Sequence, residues 1–319
     1  VIAVSDRIDV VIVAYDRYDL TCKCLRHLRA QTIEHRVIVV DNGSTDDTRR
    51  RLRSEWPDVQ LEHFERNRHF PIACNRGVSA GSGEVVVLLN NDIDCRPDFL
   101  ERLTAPMRDP AVGSVASLVL QRDGEQIDAV GLSSDVTLSA FARLRGLPAA
   151  YADGEIPTLM GPGGGSAAYR RAAWEQVGGL DEALLFYMED VDLALRLRIA
   201  GWRSVAEPHA VCVHLGSATL GHRSADQRRY AGFGRGYMLR RYGLLRGRAA
   251  FRTLATEAIV VLGDLVISRD LAALRGRLSG WRAGRAQSRL VIPADAVDRR
   301  IGFRDSLARR WRMYALPGA

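Results

Sequence analysis

Eleven consecutive residues, Glu84-Val-Val-Val-Leu-Leu-Asn-Asn-Asp-Ile-Asp94, restrict this chain more than any other stretch. Val85 to Leu89 are β-branched or leucine, with no polar residue among them. A strand of that composition is buried on both faces, as strands inside a parallel sheet are. The run stops at Asn90, Asn91, Asp92 and Asp94. Open α/β sheets bind ligands at the carboxyl ends of their strands. Carboxylates and carbonyls there are hard oxygen ligands, suited to Mg²⁺ or Mn²⁺, which share their coordination with substrate phosphates. An Asx-rich turn that simply ends a strand reads the same way, so the remainder of the chain has to decide.

The pattern recurs upstream. Asp9 to Tyr15 reads as a first buried strand, followed by a helix with Leu20, Cys24, Leu25 and Leu28 on one face. Arg36 to Val40 forms a second, running into Asp41-Asn42-Gly43-Ser44-Thr45-Asp46, so an aspartate again stands at a strand's carboxyl end. A helix from Thr48 to Trp56, a strand from Val59 to Phe64 and a helix from Ile72 to Ala80 lead into the opening stretch. Alternation of this kind predicts a Rossmann-like, mostly parallel sheet flanked by helices. Beyond Ala111 the pattern changes: Val112 to Leu120, the turn Asp123-Gly124 and Ile127 to Val130 predict an antiparallel hairpin. The glycine run Gly163-Gly164-Gly165 lets backbone approach a ligand closely, and equally suits a mobile loop. Tyr187-Met188-Glu189-Asp190-Val191-Asp192 opens an amphipathic helix whose first turn carries three carboxylates. Acids there cap a helix through its dipole; one of them also suits a general base. Ala210 to Val213 reads as a short strand delivering His214. Gly232-Phe-Gly-Arg-Gly236 imitates a nucleotide-loop pattern, but no strand precedes it, and it is discounted.

The net charge of +7 conceals a split: residues 222–319 carry 21 Arg against 7 acids, whereas the remainder is acidic by 7 charges. The only lysine is Lys23. The five cysteines follow no zinc, haem or disulfide spacing and read as reduced thiols. Residues 1–6 show no basic segment leading into an apolar core, and no uncharged apolar run is long enough to span a bilayer. A cytoplasmic protein is the expectation.

Taken in order, Val39-Val40-Asp41-Asn42-Gly43-Ser44, Leu88-Leu89-Asn90-Asn91-Asp92, Glu189-Asp190-Val191-Asp192, Gly201-Trp202 and His214 resemble the family 2 glycosyltransferases, inverting enzymes with the glycosyltransferase A-type fold. The resemblance runs from about Asp9 to Thr219, and the layout from Gly161 through Arg240 is similar to that of bacterial members, rhamnosyltransferases included. It implies a catalytic nucleotide-sugar-binding domain over residues 1–221 and a basic helical region over 222–319. Ala14, Tyr15, Asp16, Arg17, Asp41, Asn42, Asn67, Asn75 and Asn91 would bind the nucleotide, with Asp41 accepting from the pyrimidine imide. Asp92, Asp94 and His214 would hold Mg²⁺ or Mn²⁺, Asn90 standing where the family's metal motif usually has its first acid. Asp190 would be the base, Glu189 beside it; Gly163, Gly164, Gly165 and Tyr187 would contact donor sugar or acceptor.

The implied reaction moves a sugar from a nucleotide-diphosphate donor, dTDP-L-rhamnose or a UDP-sugar, to a hydroxyl of a glycan, lipid-linked or secondary-metabolite acceptor. Interleaved basic and apolar residues in the tail suit peripheral contact with the inner face of the plasma membrane, and equally packing on the catalytic domain or on a second subunit in a homodimer. No nucleic-acid recognition module is visible. Two alternatives stand beside the transferase: a non-catalytic nucleotide-sugar-binding homologue, and a sugar-phosphate nucleotidyltransferase. The latter needs a basic Gly-rich loop after the first strand, where this chain has Tyr15-Asp16-Arg17.

Overall fold

The structure, a computed structural model, describes residues 8–153, 158–216 and 224–315. The reading of Val1 to Asp6 and the expected boundary after residue 221 lie outside the described residues. Eleven strands are formed by Ile8–Ala14 (β1), Arg36–Asp41 (β2), Gln60–His63 (β3), Val85–Asn90 (β4), Ile93–Cys95 (β5), Val112–Leu120 (β6), Ile127–Ala129 (β7), Leu132–Ser134 (β8), Ala140–Ala142 (β9), Ser166–Arg170 (β10) and Arg203–His214 (β11). The helices are Tyr18–Arg29 (α1), Thr48–Glu55 (α2), Phe70–Ala80 (α3), Phe99–Thr104 (α4), Arg171–Val177 (α5), Glu189–Ile199 (α6), Ala225–Arg241 (α7), Ala250–Ser268 (α8), Ala272–Ala283 (α9) and Phe303–Ala315 (α10).

The main sheet runs β3-β2-β1-β4-β10-β6-β11-β5, with β7 on the flank of β6. β3, β2, β1 and β4 are mutually parallel, as the buried runs require. The other half is mixed: β10 is antiparallel to both β4 and β6, whereas β11 is parallel to β6 and antiparallel to β5. Side chains of β1 alternate between two cores. Val10, Ile12 and Ala14 meet Leu25 and Leu28 of α1, Leu52 of α2 and Phe99 and Leu103 of α4. Val11 meets Cys74 and Val78 of α3 and Leu193 and Leu197 of α6 on the other face. All five cysteines are buried and unpaired, as expected for thiols used as small apolar fillers.

The two ends of the parallel strands differ. At the amino ends, buried Asp9 is locked by Arg36 at 2.6 Å and Arg171 at 2.8 Å, so its charge is spent on architecture. At the carboxyl ends, Ala14 is in register with Asp41 and Val13 with Asn90. That edge carries the polar residues.

The basic tail is built into the same body. Tyr237, Met238, Leu239 and Tyr242 of the α7 region share one core with Leu184, Val191, Ala194 and Leu195. The Tyr242 hydroxyl donates to Asp192 of α6 at 2.9 Å, and Arg241 pairs with Asp181 and Asp192. The glycines discounted as a nucleotide loop have a packing role. A Cβ on Gly232 or Gly236 would lie 2.3 or 2.0 Å from a carbonyl oxygen of α9, and one on Gly276 or Gly280 2.1 or 1.9 Å from an oxygen of α7. Reciprocal Gly-x-x-x-Gly pairs let the two backbones touch.

Candidate active site

Asp41 ends β2 with its side chain fully buried. One carboxylate oxygen accepts the Ser44 N–H at 3.0 Å; the other has no hydrogen-bond partner, and the nearest cation, Arg49 Nε, stands 3.8 Å away. A buried acceptor left in that state costs about 1–3 kcal/mol and calls for a donor from outside the chain, such as a base N–H. The surrounding loops are fastened to one another. Asp16 accepts the Thr45 and Asp46 N–H groups at 2.7 and 3.3 Å. Asn42 accepts from Arg68 N, and Asn67 from His69 N. Gly43 has a φ of +79°, and any Cβ there would strike Arg66 backbone at 2.3 Å, so only glycine closes this turn. Ala14, Tyr15, Asp16, Arg17, Asp41, Asn42 and Asn67 thus gather at the ends of β1 and β2.

Three expected site residues are engaged elsewhere. Asn75 receives the Leu180 N–H and donates to Leu180 and Glu182, so its amide clamps the turn before α6 rather than facing the nucleotide loops. Asn91 donates to Thr21 of α1. Asp94, expected as a supporting metal ligand, is drawn to α1 by Lys23 at 2.5 Å, with the ring of His27, one helical turn on, 3.5 Å from its other oxygen.

Asp92 is 4% exposed, and its Oδ2 lies 3.3 Å from His214 Nε2. The other ring nitrogen is 3.0 Å from Asp128 Oδ2, and Arg145 holds the second oxygen of Asp128 at 3.2 Å. Burial opposes the imidazolium, but the hydrogen bonds it donates to Asp128 and Asp92 prevail and raise His214 to about 10. Asp128 escaped the sequence reading because β7 is only three residues long and brings it to His214 from 86 positions away. Among the described residues no three His, Cys, Asp or Glu side chains converge as a metal cage. Asp92 and His214 are a pair, which suffices for Mg²⁺ or Mn²⁺ when substrate phosphates and water complete the shell. The donor set fits such an ion, whose charge would replace that of the imidazolium between two carboxylates.

Glu189 and Asp190 begin α6 directly after Tyr187 and Met188, both left-handed, with φ of 66° and 74°. Asp16, Arg17 and His69 are left-handed too, so five of the eight non-glycine residues of positive φ among those described rim this edge of the sheet. Strain of this kind collects where the surrounding structure fixes a site. Asp190 accepts the Gly164 N–H at 3.1 Å and the Val191 N–H at 2.8 Å. Gly165 in turn accepts from Asn90 N at 2.9 Å, so the glycine run ties the acid pair to the end of β4. Burial pushes Asp190 upward, against the pull of those N–H groups. Glu189 Oε2 meets no donor; burial, helped by the charge of Asp190, lifts its carboxyl to about 8. The edge is closed by an aromatic trio, His69, Phe186 and Tyr230 of α7, with centroids 5.4–6.0 Å apart. His69 is therefore committed to packing.

Residues 9–178 match the model of the family described as Glycosyl transferase family 2. The chain belongs to that family. This family 2 glycosyltransferase is 32% identical over 201 residues to the N-acetylglucosaminyl-diphospho-decaprenol L-rhamnosyltransferase of Mycobacterium tuberculosis, a match covering 56% of this chain and 66% of that enzyme. It is 30% identical over 200 residues to the pre-mycofactocin glycosyltransferase of the same organism, covering 60% of this chain and 39% of the relative. The chain thus spans less than two thirds of either relative's length. Its fold resembles a mannosyltransferase of Pyrobaculum calidifontis solved with GDP-Man and Mn²⁺, at a TM-score of 0.53 and 22% identity over 89% of this chain and 76% of that one. It also resembles GalNAc-T7 solved with UDP, GalNAc and Mn²⁺, at a TM-score of 0.56 and 13% identity over 79% and 54%. Both comparisons carry the fold; the glycosyltransferase A-type architecture is that of this chain.

Proposed function

We propose that this glycosyltransferase moves a sugar from a nucleotide diphosphate to an acceptor hydroxyl with inversion, Asp190 taking the hydroxyl proton. The observation that carries the reading is the buried Asp41 with one unpartnered oxygen, on the same strand edge as Asp92, His214 and Asp190. Asp41 accepts the imide N–H of a pyrimidine, while the interlocked loops of Asp16, Asn42 and Asn67 keep that acceptor rigid. Asp92 and His214 would hold the divalent ion, which would supply positive charge to offset that of the diphosphate leaving group. Asp190 retains two backbone N–H donors that favour its charge, whereas Glu189 keeps its proton at neutral pH and orients the acceptor by donating. The hydroxyl proton passes to Asp190 as the acceptor oxygen bonds to the anomeric carbon and the bond to diphosphate breaks. Gly163, Gly164 and Gly165 leave room for the sugar. The donor is a dTDP-linked deoxysugar such as L-rhamnose, or else a UDP-sugar; similarity to a rhamnosyltransferase supports the first. Asp190→Asn is expected to lower transfer by about 10²–10⁴-fold while nucleotide affinity stays within about threefold. Loss of both together would make Asp190 structural and sink the assignment.

A further inference from the structure

Helix α8 is turned inside out. Its inward face presents Thr253, Thr256 and Glu257, all buried. Its outward face presents Phe251, Leu254, Ala258, Leu262, Leu265 and Val266, all exposed. These positions recur at three- and four-residue spacing and form one stripe along the helix. Phe251 is 84% exposed, Leu262 60% and Val266 74%, values ordinary for a charged residue and not for a helix-long apolar row. Such a stripe marks a surface that is covered when the protein works.

Charge decides what covers it. Both acids of α8 are turned inward: Glu257 binds Arg235 at 2.7 Å and Arg277 at 3.0 Å, and Asp264 faces Arg228 at 3.5 Å. Asp270, just beyond the helix, is also bound by Arg228. The stripe therefore bears no negative charge. Arg246 and Arg248 are exposed immediately before it and Arg269 immediately after it. An apolar row with basic ends complements hydrocarbon beneath anionic headgroups. A second copy is a poor match. Two stripes laid together, parallel or antiparallel, would bring arginine ends against arginine ends with no acid between them.

We propose that α8 docks the protein onto an anionic lipid surface, lying in the plane of the interface with its apolar stripe inserted. No helix among the described residues is long and apolar enough to cross the membrane, which fits this grazing geometry. The proposal stands apart from the assignments of Asp41 and Asp190, because vesicle binding requires no donor and no turnover.

The test is sedimentation of the full chain with vesicles of phosphatidylglycerol and phosphatidylcholine at low salt, against pure phosphatidylcholine. The wild type is expected to partition onto the anionic vesicles, with binding weakened by salt. The double variant Leu262→Asp/Val266→Asp, which alters only exposed side chains, is expected to bind at least about tenfold more weakly with an unchanged melting temperature. Replacing Arg246, Arg248 and Arg269 with Gln is expected to flatten the salt dependence. Absence of wild-type binding overturns the proposal, as does equal binding by the double variant. A wild-type dimer that the double variant splits in sedimentation equilibrium would assign the stripe to a second copy instead.

Discussion

Glu189 and Asp190 are neighbours in sequence, yet their oxygens meet different surroundings. Asp190 receives two backbone N–H groups, and Glu189 Oε2 receives none. With Glu189 raised to about 8, it is mostly protonated at pH 7, and the pair's single charge rests on Asp190. Glu189→Gln, which keeps a donor of the same shape, should therefore cost much less transfer than Asp190→Asn, about tenfold against 10²-fold or more. With Asp190 as the proposed base, the acidic limb of the pH–rate profile should reflect its carboxyl and lie above the usual carboxylate range, since burial raises it. Glu189→Gln should leave this limb in place, because it exchanges a carboxyl that is already neutral there for a neutral amide. A limb moved clearly downward by the substitution would show that Glu189 is charged where Asp190 titrates, and would contradict this division of the pair. At this scale the positions of Asp41 and Asp92 were legible, because apolar runs lead straight to both, and the structure places them at and just beyond the carboxyl ends of β2 and β4. Asp128 could not be found, since it is an ordinary hairpin residue until β7 swings it to His214. Asn75, Asn91 and Asp94 fit a site by residue type, and what the sequence could not show is that α1 and the turn before α6 also engage their side chains.

At the scale of elements, two glycines in helices make opposite predictions. Gly280 of α9 has no space, since a Cβ would sit 1.9 Å from the Phe233 carbonyl oxygen. Gly280→Ala should gain the roughly 1 kcal/mol of helix propensity and lose more through separation of α7 from α9, for a net loss of about 1–3 kcal/mol. Gly263 of α8 has nothing within 4 Å, and Gly263→Ala should stabilise by about 0.5–1 kcal/mol. Urea denaturation measures both; a stabilising Gly280→Ala would contradict the close helix contact. Buried runs made β1, β2 and β4 legible, because a strand covered on both faces has a composition few other elements share. β10 was missed: Ser166-Ala-Ala-Tyr-Arg170 is short, follows a glycine run and holds no β-branched residue, yet it pairs between β4 and β6. Only its partners make it a strand. The packing role of the α7 glycines was hidden for a related reason, as their spacing has meaning only beside the matching pair on α9.

On the scale of the whole molecule, the basic tail packs into the body that carries the sheet, because α7 contributes Tyr230 to the aromatic trio and Arg241 to Asp192, and Tyr242 just beyond it also reaches Asp192. The buried Arg235–Glu257–Arg277 cluster ties α7, α8 and α9 together. Burial opposes the charge of Glu257, but the two arginines outweigh it and hold the carboxyl at about 2. Its folded value is depressed below the ordinary 4.5, so its stabilising contribution is present above that value and is lost as the pH falls from about 4.5 to 2. Glu257→Gln should lower stability at pH 7 by about 3–5 kcal/mol by leaving buried Arg235 and half-buried Arg277 unbalanced, and should flatten the stability curve in that acid window. An unchanged acid slope would remove the cluster from the account. The central claim is that the strand ends built around Asp41 and Asp92 form a nucleotide-diphosphate site. Calorimetric titration of the full chain with dTDP, UDP and GDP, with and without Mn²⁺, tests it most directly. The account predicts preferential binding of one pyrimidine diphosphate, strengthened by Mn²⁺ and weakened at least about tenfold by Asp41→Ala. Failure of all three nucleotides to bind, or binding indifferent to Asp41, would contradict it.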